Sequence, residues 1–387
     1  MAVTRTYLDY NASAPLLPAA RRAMLAALEI DANPSSVHAD GRDARRMIED
    51  ARRDVAALCA AKPEHVVFTS GATEAASTLL TPDWRMGRAP LRVSRLHVSA
   101  TDHPCIRGGG RFPADMVETI GVDANGVIDL AALEAALARH DRQGGLPMVA
   151  VHAANNETGV VQPMREIARA AKAAGGIAVI DAVQAAGRVS LDISELCADF
   201  LIFSSHKIGG PKGAGAIVGA SDLMMPVPLV SGGGQEKGHR AGTENLAAIA
   251  GFGAAAREAL AALEEAGRVA STRAVFEDAV KELVPDAEIY GADAERLCNT
   301  VFFAIPGLKA ETAQIALDLA GISLSAGSAC SSGKVGPSHV LKAMGVVDGM
   351  GALRVSIGRD TGEAELSAFR EALAGLVARR ATRTSAA

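Results

Sequence analysis

Aromatic residues are scarce: three tyrosines, nine phenylalanines and one tryptophan make up 3% of 387 residues. Alanine and glycine are abundant instead, which suits helices packed on a sheet of small and branched side chains. Basic charge is not in excess, since the formal net charge is −5. No electrostatic footprint for nucleic acid is present, and no such partner is expected. No stretch reaches the roughly 18 consecutive apolar residues that a membrane-crossing helix requires. The start, Met1 to Asn11 with Arg5 and Asp9 inside it, lacks the plan of a secretory leader. A soluble, cytoplasmic protein without membrane contact is the expectation.

Cysteine is sparse and scattered. Cys59, Cys105, Cys197, Cys298 and Cys330 form no CxxC pair, so neither a zinc site nor a disulfide framework is indicated, and no metal is expected. Cys59 and Cys197 lie in apolar or helical stretches and read as small hydrophobes. Cys330 differs: Ser325-Ala326-Gly327-Ser328-Ala329-Cys330-Ser331-Ser332-Gly333 is a polar, flexible setting that suits a reactive thiol. Nucleotide motifs are missing as well. No strand is followed by GxGxxG with an acidic residue at the right distance, and no GxxxxGK[ST] occurs, which removes a dehydrogenase reading. Repeats and low-complexity tracts are also absent.

What is present is alternation. Short β-rich runs at 66–69, 91–99, 116–122, 148–153, 177–181, 200–204 and 214–218 are separated by amphipathic stretches such as 130–139 and 164–174. This predicts an α/β fold with a mainly parallel seven-stranded sheet covered by helices. Beyond a glycine-rich segment at 231–242, a long helical pattern runs from about 243 to 284. Strands near 300–304 and 352–357 and helices near 311–320 and 363–378 follow, which read as a smaller α+β domain. The expected division is a large domain at 15–255 and a small one made of 1–14 and 256–387.

In a parallel sheet, ligands bind outside the carboxyl ends of the strands. Taken in order, those ends read Ser70-Gly71-Ala72-Thr73-Glu74, Thr101-Asp102-His103-Pro104, Asn155-Asn156-Glu157-Thr158-Gly159, Asp181 with Gln184, and Ser204-Ser205-His206-Lys207. The first is a glycine turn opening a helix, a natural seat for a phosphate. One edge thus collects a phosphate cradle, an imidazole, an amide, a carboxylate and an amine. Pyridoxal phosphate asks for that set: a lysine for a Schiff base, a carboxylate to keep the pyridine nitrogen protonated, and dipoles for the phosphate. Lys212, inside a Gly-Pro-Lys-Gly turn, is the rival amine, but Lys207 comes directly after a strand and is preferred.

These residues resemble a known family. Tyr7-Leu8-Asp9-Tyr10-Asn11-Ala12, Thr69-Ser70-Gly71-Ala72-Thr73-Glu74, Asn155-Asn156-Glu157-Thr158-Gly159, Ser205-His206-Lys207 with Gly210-Pro211-Lys212-Gly213, and Gly327-Ser328-Ala329-Cys330 look like the NifS/IscS-like cysteine desulfurases of the class V aminotransferase group. The resemblance spans about residues 6 to 375 and implies a pyridoxal-phosphate fold of type I. It implies that Lys207 is the Schiff-base lysine and later the base at the substrate α-carbon. By the same resemblance Asp181 pairs with the pyridinium nitrogen, Gln184 bonds the phenolic oxygen, and His103 is a catalytic residue that stacks on the ring and shuttles protons. Ala72, Thr73, Ser204 and His206 surround the phosphate, and Thr243, at the start of a helix, reaches the phosphate of a partner subunit. Asn156, beside the cofactor, and Arg354 bind the substrate carboxylate, an assignment that the guanidinium's fork geometry favours. Cys330 attacks the sulfur of L-cysteine, leaving a persulfide and L-alanine.

The same resemblance implies a homodimer and a sulfur-acceptor protein such as an iron–sulfur scaffold. Ser325-Ala326-Gly327 replaces the Ser-Ser-Gly of many relatives, the segment at 107–112 is short and glycine-rich, and little chain follows the last helix, where some relatives dock their scaffold. An aminotransferase, a kynureninase-like hydrolase and a selenocysteine lyase share the cofactor; Cys330 argues against the first two. Intact Lys207, Asp181, His103 and Cys330 argue against a catalytically silent interaction protein.

Overall fold

The computed structural model describes residues 5–327, 338–346 and 351–384. A short strand β1 (Thr6–Tyr7) and helices α1 (Pro18–Leu28) and α2 (Ala39–Ala57) come first. The alternating region then runs β2 (Val66–Thr69), α3 (Ala72–Leu79), β3 (Asp83–Met86), β4 (Ala89–Ser99), α4 (Pro104–Arg107), β5 (Val117–Ile120), α5 (Leu130–Ala138), β6 (Leu146–His152) and α6 (Met164–Ala173). It ends with β7 (Ile177–Asp181), β8 (Phe200–Ser204), β9 (Gly215–Gly219) and β10 (Met224–Pro226). Helices α7 (Leu246–Ala261) and α8 (Ala266–Leu283) lead into β11 (Glu288–Ile289), β12 (Thr300–Ala304), α9 (Ala310–Leu319), β13 (Ile322–Ser323), β14 (Ser325–Ala326), α10 (His339–Ala343), β15 (Leu353–Ser356) and α11 (Glu363–Thr384).

All seven strands anticipated in the alternating region form, as β2 and β4 to β9. They join one sheet of order β10-β3-β4-β6-β7-β8-β9-β2, with β5 also against β4. The pairs β4·β5, β4·β6, β6·β7 and β7·β8 are parallel, while β8·β9 and β2·β9 are antiparallel. Because β9 reverses direction between them, β2 runs the same way as β8. The carboxyl ends of β2, β4, β6, β7 and β8 therefore share one edge. Two further strands extend the sheet beyond β4: β3 pairs antiparallel with β4, and β10 pairs antiparallel with β3. The sequence hides β3 because three of its four residues are exposed, so no alternating pattern marks it.

Alternate residues of the central strands feed opposite faces, as the pleat dictates. Val149, Val151, Ile180, Leu201 and Phe203 point into one apolar layer with residues of α2, α5, α6 and α7. Met148, Ala150, Ile177, Val179 and Ile202 point into the other, with α3 and Trp84. Burying each such side chain contributes roughly 1.5–3 kcal/mol. This two-sided burial explains why β7 and β8 read as continuous apolar runs.

The helical run expected from 243 to 284 is instead two helices. Asn245 caps α7 by accepting from Ala248 N–H at 3.1 Å, so the helix begins at Leu246 and not at Thr243. A 3-10 turn at Ala262–Glu265 separates α7 from α8. By length and composition the stretch Leu246–Leu283 is apolar enough to cross a membrane. In the fold Ile249, Phe252, Ala256 and Ala259 of α7 lie in the apolar layer under the large sheet. Phe276, Ala279 and Val280 of α8 belong to a separate core. That second core lies between α8, α9, α11 and an antiparallel sheet of order β11-β12-β15-β14. Strand β1 pairs in parallel with β13 beside it.

Candidate active site

The shared strand edge opens on a cavity of about 510 Å³ whose wall includes Ala72, Thr73, His103, Asn156, Asp181, Gln184, Ser204, His206 and Lys207. Nine of the site residues singled out from sequence are thus brought together. Lys207 stands in a 3-10 turn, Ser205–Lys207, that follows β8 without a break. Its Nζ donates to the carbonyls of Asn11 at 2.6 Å and Ala12 at 2.9 Å. Lys212 also touches the cavity, but it is exposed where Lys207 is half-buried.

Asp181 closes β7 with 6% of its surface exposed. Burial pushes its carboxyl up to about 6, against a hydrogen bond from Val183 N–H at 3.0 Å and the charge of His152. A buried carboxyl held up in this way gains by facing a cation, such as a protonated ring nitrogen. His103 opens α4, and burial, with Lys207 next, holds its imidazole down to about 4. His206 is held down to about 4 by burial and by Lys207 and Lys212. At the start of α3 no side chain caps the first turn, and a Cβ built on Gly71 would meet nothing within 4 Å. That is open space at a positive helix end, the seat a phosphate takes. Amine, buried carboxyl, neutral imidazole and open helix start fit pyridoxal phosphate.

Three anticipated residues fall outside this wall. Thr243 is exposed and sits two residues ahead of the cap of α7, a correction to its expected place at a helix start. Arg354 lies on β15, only 2% exposed, and donates to Asn156 O at 2.7 Å and to Asp9 Oδ1 at 2.6 Å. It therefore sits behind Asn156, fixed by an acidic partner the sequence did not single out. Cys330, with Ser328 and Ala329, lies outside the described residues. Gln184 is tied at both ends: its Nε2 donates to Asn11 O at 2.9 Å, and its Oε1 accepts from Arg188 at 2.6 Å.

Other functional groups escaped the sequence reading. Asn11 sits at 1% exposure between Lys207, Gln184 and Thr300, although its motif was noticed. Asp102 is wholly buried and accepts from Ser99 N–H at 2.6 Å and from His152 N–H at 2.8 Å. Its Oδ1 also lies 2.5 Å from His152 Nδ1. His152 lines the cavity, and strand register places it beside Asp181. Its Nε2 is buried with no partner among the described residues, a polar atom waiting for a bound group. The only signal for His152 was its place as the last residue of an apolar strand.

The class V aminotransferase family model matches residues 6–369. A cysteine desulfurase of Frankia is 41% identical over 96% of this chain and 91% of its own length. An IscS-like cysteine desulfurase of Mycobacterium tuberculosis is 36% identical, covering 96% of each chain. Among solved structures, a NifS-like protein from Rickettsia africae is 30% identical and superposes with a TM-score of 0.85 over 95% of this chain and 98% of that one. An apo cysteine desulfurase of Thermococcus onnurineus is 25% identical with a TM-score of 0.80, over 96% of this chain and 94% of that one.

Proposed function

The chain belongs to the class V aminotransferases, as a pyridoxal-phosphate enzyme of the cysteine desulfurase kind, and we propose that it converts L-cysteine to L-alanine while Cys330 takes the sulfur. The observation that carries this reading is the single cavity where Lys207, Asp181, His103 and the open start of α3 converge. Pyridoxal phosphate, when bound, supplies an electron sink for the α-carbon of an amino acid.

Each residue then has a task set by its place. Lys207 would hold the cofactor through its amine and, once freed, take the substrate α-proton. Asp181 would keep a proton on the ring nitrogen, because two buried partners of opposite charge stabilise each other. Backbone N–H groups of Ala72 and Thr73, with Ser204 and His206, would face the phosphate. His103, neutral at working pH, would lie against the ring. Asn156 and Arg354 would receive the substrate carboxylate, Arg354 already being aligned by Asp9. Cys330, as thiolate, forms an S–S bond to the substrate sulfur while the carbon–sulfur bond breaks. That bond's electron pair stays with the alanyl fragment, which gains a proton to become alanine.

Incubation with L-cysteine and a reductant, with sulfide and alanine both measured, tests the reading. Stoichiometric alanine and sulfide support it; sulfide without alanine, or neither, refutes it. The reading includes a cytoplasmic homodimer that hands its sulfur to an acceptor such as an iron–sulfur scaffold protein. Exposed Leu25 and Leu28 on α1, and Val37 just ahead of α2, support a second copy as a neighbour. Sedimentation equilibrium checks it, with a monomer at micromolar protein as the contrary result.

A further inference from the structure

Cys105 lines the same cavity, two residues beyond His103, and no task falls to it in the reaction described above. Its Sγ stands 3.0 Å from His103 Nδ1. Its backbone N–H donates to that same nitrogen at 3.3 Å, which is the capping bond of α4 with an imidazole as acceptor. A ring nitrogen that accepts from an N–H carries no proton of its own. The thiol is the remaining proton holder of the pair. Burial, with the Asp181 and Asp102 carboxylates nearby, pushes Cys105 well above the ordinary thiol range. His103 is held down to about 4, so its ring is neutral and has a single proton to place. The S–H therefore donates and Nδ1 accepts. With Nδ1 turned to the start of α4, Nε2 is the nitrogen left for the cavity that His103 lines.

We propose that Cys105 is a positioning residue whose S–H and N–H together lock His103 in the tautomer protonated at Nε2. The cavity is thereby offered an imidazole N–H and not a lone pair. Such a donor suits an anionic atom of the bound amino acid, its thiolate or carboxylate, and is unsuited to begin the reaction as a base. The catalytic consequence rests on the desulfurase reading; the tautomer does not.

The test uses the full-length protein labelled with ¹⁵N-histidine, the His103→Gln variant serving to identify the His103 signals among nine histidines. In the wild type at neutral pH, Nε2 is expected to be protonated and Nδ1 bare. Cys105→Ser keeps a donor of similar size and is expected to keep that pattern. Cys105→Ala loses the 3.0 Å thiol contact and leaves only the long 3.3 Å backbone N–H on Nδ1, too weak alone to exclude a proton there, so a mixture of tautomers is expected. In the holoenzyme, kcat/KM for L-cysteine should fall about tenfold in Cys105→Ala and stay within about twofold in Cys105→Ser, the scale of one buried hydrogen bond. A proton on Nδ1 in the wild type, or an unchanged tautomer in Cys105→Ala, overturns the proposal. A tautomer shift with no change in rate upholds the positioning and removes His103 from the reaction.

Discussion

Glu157 shows what burial does to one side chain. It is 2% exposed, accepts from Ser338 Oγ at 2.6 Å, and burial pushes its carboxyl up to about 7 from an ordinary 4.5. The folded protein thus holds a proton there that the unfolded chain has already released, so stability falls as pH rises from about 4.5 to about 7. The loss is on the order of 3 kcal/mol. Glu157→Gln is expected to flatten that part of the curve, as urea titrations of the cofactor-free protein at pH 5 and pH 8 will show; parallel curves for both proteins would refute it. At the reacting groups, Cys330→Ala should keep the bound chromophore and lose sulfide release, whereas Lys207→Ala should lose covalent attachment and turnover by at least about a thousandfold. Borohydride reduction followed by mass spectrometry separates the two variants. Residues at strand ends were legible as a group: the amine of Lys207 and the carboxylate of Asp181 do line one cavity. Asp102 and His152 were not, because a pair 50 positions apart meets only when two parallel strands are in register.

Strands were legible where both faces are buried between turns, and helix ends were blurred where small apolar residues run on without a break. β2, β7 and β8 were anticipated to the residue because their apolar runs are bounded by polar turns. α7 was not, since an alanine-rich stretch from 243 onward carries no periodic stop and only the cap Asn245 marks its start. A glycine-rich segment poses the opposite problem: no pattern says that it is fixed. Yet Glu236, at a φ of 46°, is buried there and receives both Arg52 Nη atoms, at 2.8 and 2.7 Å, and Phe68 N–H at 2.8 Å. The ion pair pins the glycine-rich segment to α2 and β2, and so holds Arg240 against Glu74 in the first turn of α3, at 3.0 Å. Breaking a buried pair by removing one partner leaves an uncompensated charge. Glu236→Gln should therefore cost about 3–5 kcal/mol. Thermal unfolding measures it, and a change below about 1 kcal/mol would mean that the pair is not sealed from water.

On the scale of the whole molecule, the segment from β1 to Asn11 joins what the two apolar cores keep apart. β1 adds to β13, and Leu8 sits in the core of the smaller sheet. Four residues on from β1, the Asn11 carbonyl accepts from Lys207 and Gln184 at the cavity of the large sheet. Asp9 lies between the two and binds Arg354 Nη2 at 2.6 Å, with the Arg354 side chain only 3% exposed. Sequence patterns mark such a segment as a motif without saying what it connects, because its contacts lie about 145 to 345 positions away. If this ion pair aligns Arg354 behind Asn156 for a substrate carboxylate, Asp9→Asn has two separable effects. The buried guanidinium loses its charged partner, which should lower stability by about 3–5 kcal/mol. The carboxylate seat loses its alignment, so KM for L-cysteine should rise about tenfold or more, with kcat less affected because Lys207 keeps its carbonyl partners. Unfolding curves and steady-state kinetics on one preparation resolve the two. A stability loss with unchanged KM would make Asp9–Arg354 a tie between the segment and the smaller sheet only, and would move the carboxylate seat elsewhere.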